Sequence, residues 1–369
     1  MRILHITSHL NVGGISSYIL SLSEALQRRG HRIVIASGGG QLEAQAVALG
    51  FTHWTAPLHT SAEFSPQVFR AIRQLAQKLR QEPVDLIHAH TRVGQVAPSR
   101  LSRAFSIPYV TTWHGFFRPN LGRRLWPCTG ALTIAISEPV RRHLVSDFHV
   151  PEPRVRLILN GVDPSRFAEP PSASALQAFR ERWRIAAGEP VIGAVGRLAA
   201  GRVKGFDLLI EAVRLLERDF PHLQVVMVGD GPRWPFVKEK IDRFGLGERV
   251  HLTGPSTDVR IPLAVMDVFV FPVRWNEGFG LSLIEAMAAG KPVVASRTGA
   301  VPDIVEHGRS GWLVNPEDPP SLAEGIARLL AHREEAGRLA LAGQQRVRER
   351  FSLEQMAERV EAVYREVVR

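Results

Sequence analysis

Between Arg274 and Ser296 the chain reads RWNEGFGLSLIEAMAAGKPVVAS, which sets two carboxylates, Glu277 and Glu285, around a Gly-Phe-Gly and ahead of an apolar strand. Three chemistries suit such a pair. They could act as acid and nucleophile or base across a glycosidic bond, which needs carboxylates about 5–9.5 Å apart. They could be a helix cap and a solvated helix residue. Or they could be two grips on one ligand. A helix starting near Gly280 would aim the amides of Gly280 and Leu281 at an anion, with Glu285 about one turn inside, given a rise of about 1.5 Å per residue. A carboxylate accepting from vicinal hydroxyls is a common way to hold a ribose. That role suits Glu285, and Glu277 would then face the group beyond the phosphates. The apolar residues on both sides of Glu285, in LSLIEAMAA, weaken the solvated-helix reading.

Two further stretches offer anion-binding chemistry. In AVGRLAAGRVKGFDLLIEA, Arg197 follows an apolar strand and Lys204 opens a helix, so the two cations could clamp a diphosphate, with Arg202 an alternative to Lys204. In SHLNVGGISSYILSLSEAL, Gly13 and Gly14 separate the first strand from a helix; they read either as a tight turn or as a loop admitting a phosphate or sugar to backbone N–H groups. No G-x-G-x-x-G is present, which disfavours a dinucleotide-dependent oxidoreductase. His88 and His90, in HAH, could join His114 around a metal, although no acidic or Cys partner lies nearby in sequence. Trp113, Phe116 and Phe117 beside Arg118 suit either a membrane- or acceptor-facing surface or ordinary packing. The GDG at 229–231 reads as a strand-to-helix turn.

These residues need strands and helices to hold them. Apolar strands (RILHITS, HRIVIAS, VDLIHAH, PYVTTWH, ALTIAIS, VRLILNG) alternate with helix-like stretches such as PQVFRAIRQLAQKLRQ, the pattern of a parallel sheet covered on both faces. The run VDPSRFAEPPSASA interrupts it. The pattern restarts at PVIGAVGRL, with QVVMVGD, RVHLTG, VFVFPV, KPVVAS and GWLVN to follow. The expectation is two tandem Rossmann-like, doubly wound α/β domains with a ligand cleft between them. The first spans 1–165, the linker 166–187 and the second 188–351, and a terminal helix at about 352–369 returns to the first.

At 369 residues the chain suits two domains. No apolar run approaches the 18–20 or so residues of a membrane span, the start does not read as a signal peptide, and a single cysteine, Cys128, excludes an internal disulfide framework. A cytoplasmic protein is expected. The net charge of +10 is lopsided: residues 1–175 hold 19 Lys/Arg and 10 Asp/Glu, a balance of +9. Arg118, Arg123, Arg124, Arg141 and Arg142 supply much of it. The excess implies an anionic partner, a membrane surface or an anionic acceptor, or simply serves solubility. Nucleic acid is disfavoured because no recognised nucleic-acid-binding motif is present.

Taken in order, GRLAAGRVKGFDLLIEA, VVMVGDGP, AISEPVRRHL, ILNGVD, EGFGLSLIE and GKPVVASRTGAVPDIV resemble the retaining glycosyltransferases of family 4, which have the GT-B fold. The resemblance spans essentially the whole chain. The stretch from Asp85 to Phe117 is further similar to acceptor domains of cell-envelope enzymes, lipopolysaccharide assembly included. The resemblance implies a nucleotide-sugar donor, such as a UDP- or GDP-sugar, held mainly by the second domain. Arg197 and Lys204 would bind the diphosphate, Glu285 the ribose and Glu277 the transferred sugar. Gly278 and the amides of Phe279, Gly280 and Leu281 would line the sugar and phosphates. Gly14 would lie against the diphosphate, and His114 would stand near the sugar. The base would rest near LTGPSTD. It also implies an envelope glycolipid or glycan acceptor, peripheral association with the inner face of the membrane, and no cofactor or metal, since the leaving diphosphate assists deprotonation of the acceptor and no D-x-D motif is present. The GRL-to-KG spacing here is about three residues longer than the family's common one. A glycoside hydrolase or phosphorylase using Glu277 and Glu285, and a catalytically silent sugar-nucleotide binder, are the alternatives.

Overall fold

A computed structural model describes every residue except Ser61, Phe64, Ala200, Arg202, Asn276 and Arg369; the alternative cation Arg202 therefore lies outside the described residues. The chain divides into two compact units, Met1–Asn160 with Leu353–Arg369, and Gly161–Ser352.

The first unit is built on seven strands: β1 (Arg2–Ile6), β2 (Arg32–Ser37), β3 (Thr52–Thr55), β4 (Leu86–Ala89), β5 (Tyr109–Trp113), β6 (Leu132–Ala135) and β7 (Val155–Leu157). All pair in parallel, in the order β3-β2-β1-β4-β5-β6-β7. Both faces are covered, so the strands read as unbroken apolar runs rather than alternating ones; Ile3, Leu4 and Ile6 of β1 are all fully buried. The edge strand β3 was not legible as such, because only Trp54 of THWT is buried.

One face of this sheet is covered by the helices Gly14–Arg28 and Leu353–Val368. Leu353, Met356, Val360 and Tyr364 of the terminal helix share a core with Ile19, Leu22 and Leu26. The buried Glu361 clasps the two helices, accepting from Arg29 at 2.7 Å, His31 at 3.0 Å and Arg365 at 2.6 Å. Burial alone would raise its carboxyl pKa; these donors overcome that and hold it down to about 2.

The second unit carries β8 (Val191–Val195), β9 (Gln224–Val228), β10 (Val250–Gly254), β11 (Val268–Phe271), β12 (Val293–Ser296) and β13 (Trp312–Val314). They too are all parallel, in the order β10-β9-β8-β11-β12-β13. The expected linker at 166–187 is corrected by the structure. It holds a helix, Ala173–Arg182, which packs against the helix Arg260–Val265 inside the second unit. The Pro/Ser-rich run before it is helix-start punctuation: the Ser172 hydroxyl caps the helix by accepting from the Ala175 amide.

Each strand order reverses direction once, between β1 and β4 in the first sheet and between β8 and β11 in the second. In doubly wound sheets ligands bind outside the carboxyl ends of the strands at such a switch point. The loops after β8 and β11 carry Arg197, Lys204 and Glu277, and the helix that follows the β11 loop carries Glu285.

Candidate active site

At the second switch point, the loop after β8 delivers Lys204 and then Gly205, whose φ of 61° is left-handed. A Cβ at Gly205 would collide with the Pro272 carbonyl oxygen, so only glycine lets the two loops approach this closely. Beside it, the Lys204 stem runs along Gly196 at the end of β8, where an added Cβ would meet its Cδ at 3.4 Å. The ammonium lies 5.3 Å from the centre of the Phe271 ring and donates to Glu277 Oε2 at 2.6 Å. Glu277 is only 12% exposed in its side chain, so this is a substantially desolvated ion pair. Arg197, on the same loop, is exposed and has no ion-pair partner among the described residues.

The loop after β11 ends in Gly280, with φ 117°, which begins the helix Leu281–Ala288 without a side-chain cap. The first-turn amides are thus left for a ligand. A Cβ at Gly280 would press on the Phe271 ring. The Ser282 hydroxyl donates to the Val195 carbonyl at 2.9 Å, which ties this helix start to the end of β8. Gly278 and Phe279 are buried; the Phe279 ring packs against Phe351 at 5.8 Å, which leaves its backbone, not its side chain, for ligand contact. Glu285 sits one turn into the helix, part-buried, and burial pushes its carboxyl up to about 7 against the pull of Arg166. It has no ion pair among the described residues.

Sequence reasoning missed what holds this loop pair in place. Arg274 donates to Asp207 at 2.8 Å and to Glu317 at 2.7 Å, and its amide donates to the Val203 carbonyl at 2.8 Å. These bonds lock the β11 loop to the residues around Lys204. No local spacing announces them, because the partners lie 67 and 43 residues away. The GDG at 229–231 is a turn in which a Cβ at Gly229 would collide with the Gly196 carbonyl. In LTGPSTD, Asp258 is occupied by Arg260, at 2.7 Å.

At the first switch point, Gly13 and Gly14 open the helix Gly14–Arg28, which also lacks a side-chain cap. An added Cβ at either glycine would meet nothing within 4 Å, so their openness, not close backbone packing, is what the structure shows. His114, just after β5, lies edge-on to Tyr18 with 4.7 Å between ring centres. Burial lowers its pKa to about 3, so the ring is neutral at physiological pH. Its Nε2 is 3.3 Å from His90 Nδ1.

The histidines that approach a metal-binding spacing are not the trio expected. His5, His88 and His90, all buried, bring one nitrogen each within 4.8 Å of one another, with His5 in place of His114. Both nitrogens of His88 are already engaged, with the Tyr364 hydroxyl at 2.6 Å and Thr112 Oγ1 at 2.7 Å. His5 and His90 are hydrogen-bonded to each other at 2.9 Å. The donor set therefore reads as a neutral hydrogen-bonded network. Of the two readings of Trp113, ordinary packing holds: its indole is fully buried, packed edge-on between Phe117 and Phe148, because β5 runs through the core.

With this geometry in view, comparison with known proteins is decisive. Residues 12–166 match the model of "Glycosyltransferase Family 4" and residues 189–332 that of "Glycosyl transferases group 1". An uncharacterized glycosyltransferase of Methanocaldococcus jannaschii is 27% identical over 346 residues, covering 87% of this chain and 86% of its own. The lipopolysaccharide core biosynthesis mannosyltransferase LpsB of Rhizobium meliloti is 30% identical over 220 residues, 58% of this chain and 61% of its own. The crystal structure of Anabaena HepE in complex with UDP-glucose superimposes with a TM-score of 0.86 at 23% identity, covering 99% of this chain and all of that one. The fold is that of a GT-B glycosyltransferase. The chain belongs to glycosyltransferase family 4.

Proposed function

We propose that this enzyme transfers a sugar from a nucleotide-diphosphate donor to an envelope glycolipid or glycan of the lipopolysaccharide type, with retention at the anomeric carbon. The observation that carries this reading is the Lys204–Glu277 pair, set beside an uncapped helix start at the switch point. Breaking the sugar–diphosphate bond builds negative charge on the leaving phosphate. Fixed cations and first-turn amides stabilise that charge without reorganising. Lys204 and Arg197 supply the cations; the amides of Phe279, Gly280 and Leu281 supply the dipoles; and Glu285 accepts from the ribose hydroxyls. Glu277, oriented by Lys204, holds the transferred sugar. The first unit serves the acceptor, with His114 for the reacting sugar and Gly13 and Gly14 for the diphosphate. The cations take the charge-stabilising role a metal would otherwise fill, and the leaving diphosphate assists deprotonation of the attacking hydroxyl on the same face.

Two facts support this reading. HepE is a protein whose structure holds UDP-glucose, and LpsB is named for lipopolysaccharide core assembly. A hydrolase is disfavoured because the Glu277 carboxylate is committed to a lysine. The test is product analysis by NMR after incubation with UDP- and GDP-sugars and lipid-linked glycan acceptors. The same anomeric configuration in donor and product supports the reading, whereas inversion rules out retention.

We also propose that the enzyme works at the inner face of the cell membrane. Among the described residues no helix is long and apolar enough to cross a bilayer. The short helix Leu121–Leu125 instead leaves Leu121 74% and Leu125 76% exposed on one side, next to the exposed Arg118 and Arg124. Apolar anchors rimmed by arginine suit an anionic surface. In flotation assays the wild type should bind vesicles containing phosphatidylglycerol but not pure phosphatidylcholine. The double variant Leu121→Ser, Leu125→Ser should lose most of that binding while keeping its melting temperature. Wild-type protein that stays unbound on both vesicles contradicts the proposal.

A further inference from the structure

The buried histidines of the first unit form an ordered chain that leads to His114. Its Nε2 lies 3.3 Å from His90 Nδ1, His90 Nε2 lies 2.9 Å from His5 Nδ1, and His5 Nε2 is buried with no hydrogen-bond partner among the described residues. The sequence places them there by topology. His5 on β1 and His88 on β4 are paired neighbours in register, and His90, two residues past His88, leans to the same face. Burial lowers the pKa of all three linked rings, so each is neutral and carries one proton.

Three neutral imidazoles joined by two hydrogen bonds have only two proton arrangements that satisfy both links. In one, each ring carries its proton on Nδ1. His5 Nδ1–H then donates to His90, His90 Nδ1–H donates to His114 Nε2, and the unpartnered atom is a lone pair on His5 Nε2. In the other, each proton sits on Nε2, and the unpartnered atom is a buried N–H. Orphaned buried N–H groups are the rarer and costlier case, so the first arrangement prevails.

We propose that His90 and His5 are positioning residues that hold His114 as its Nδ1–H tautomer, making it a fixed hydrogen-bond donor to an oxygen of the reacting sugar and not a base. This rests on the reading of His114 as a residue serving the sugar. The groups packed around the chain are Tyr18 from the first helix, His88 with Tyr364 from the terminal helix, and Thr112 from β5. Burial raises the pKa of both tyrosines, so they remain neutral.

The experiment combines 15N NMR of histidine-labelled enzyme, free of substrate, with sugar-transfer kinetics of His90→Leu and His90→Asn. In the wild type, His114 should show a protonated Nδ1 and an unprotonated Nε2 unchanged from pH 5.5 to 8. His90→Leu should release His114 to mix tautomers and lower kcat about tenfold or more at pH 8. That loss should be the same at pH 6 and pH 8, because burial keeps the His114 ring neutral across this range. His90→Asn offers an amide N–H where His90 Nδ1–H stood, and it should restore both the tautomer and the rate. An Nε2–H tautomer in the wild type, an unchanged tautomer in His90→Leu, or a stoichiometric metal bound at His5, His88 and His90 in purified enzyme overturns the proposal. The NMR reads the relay without turnover. A fixed Nδ1–H tautomer in an enzyme that transfers no sugar would contradict the functional reading alone.

Discussion

Lys204→Ala is expected to lower sugar transfer by about 10³-fold, the upper range for losing one preorganised donor to a developing anion, with the fold intact. Two consequences of the substitution act together. The ammonium that would meet the leaving diphosphate disappears. Glu277, only 12% exposed, also loses its counter-charge and is left as a part-buried carboxylate facing the transferred sugar. The defect should appear in both nucleotide binding and kcat, since the ammonium would grip the diphosphate already in the bound donor and the charge it faces grows in the transition state. Arg197→Ala should cost less, because the exposed guanidinium is screened by water. Circular dichroism and melting of the variant check the fold, and steady-state transfer checks the effect. Wild-type-like turnover by Lys204→Ala would remove this lysine from the mechanism.

Glu285→Ala should weaken donor binding by about 10²-fold or more, since each hydrogen bond to a charged group is worth about 1.5–3 kcal/mol. The raised carboxyl pKa gives this prediction a pH signature. In the folded, ligand-free protein the group titrates at about 7, above its ordinary value of 4.5, because burial favours the neutral form. The folded state therefore binds the proton more tightly than the unfolded chain. The stability this contributes is complete below 4.5 and is lost as pH rises through 7. Glu285→Gln, which is never charged, should melt higher than the wild type at pH 8 without donor. The ionised carboxylate is the better acceptor for two ribose hydroxyls, so the wild-type KM for donor should rise as pH falls below 7. The glutamine variant should lack that dependence. Calorimetric titration and melting curves at pH 6 and 8 check both halves. A variant that binds donor like the wild type at both pH values would mean that Glu285 does not hold the ribose.

The sequence already showed much of this site, for physical reasons. Strands buried on both faces announce themselves as Val/Ile runs such as QVVMVGD and KPVVAS. A glycine before LSLIEAMAA marks a helix start, and the structure begins that helix at Leu281 with Gly280 as its cap. Other features leave little local trace. The strand β3 is too short and too exposed at the sheet edge to alternate clearly. The segment before Ala173 has the composition of a linker because helix caps and linkers favour the same residues. His5 looked like an ordinary strand residue; only the parallel register beside β4 brings it to His88 and His90. The bonds from Arg274 to Asp207 and Glu317 are set by tertiary contact alone. The residues proposed to touch the ligand sit at or just after strand ends, where punctuation is legible, whereas the residues that brace them are scattered through the chain.

The central claim is that Lys204 and its neighbours on the second unit grip a nucleotide diphosphate. Thermal melting of the wild type and Lys204→Ala, with and without UDP, GDP and their sugars, tests it most directly. A ligand at about 100 times its Kd adds roughly 2.7 kcal/mol to stability, enough to raise the melting temperature by several degrees. Such a rise is expected in the wild type for the nucleotides of one base, and its loss in Lys204→Ala. A wild type that no nucleotide stabilises, or a variant stabilised as fully as the wild type, would contradict it.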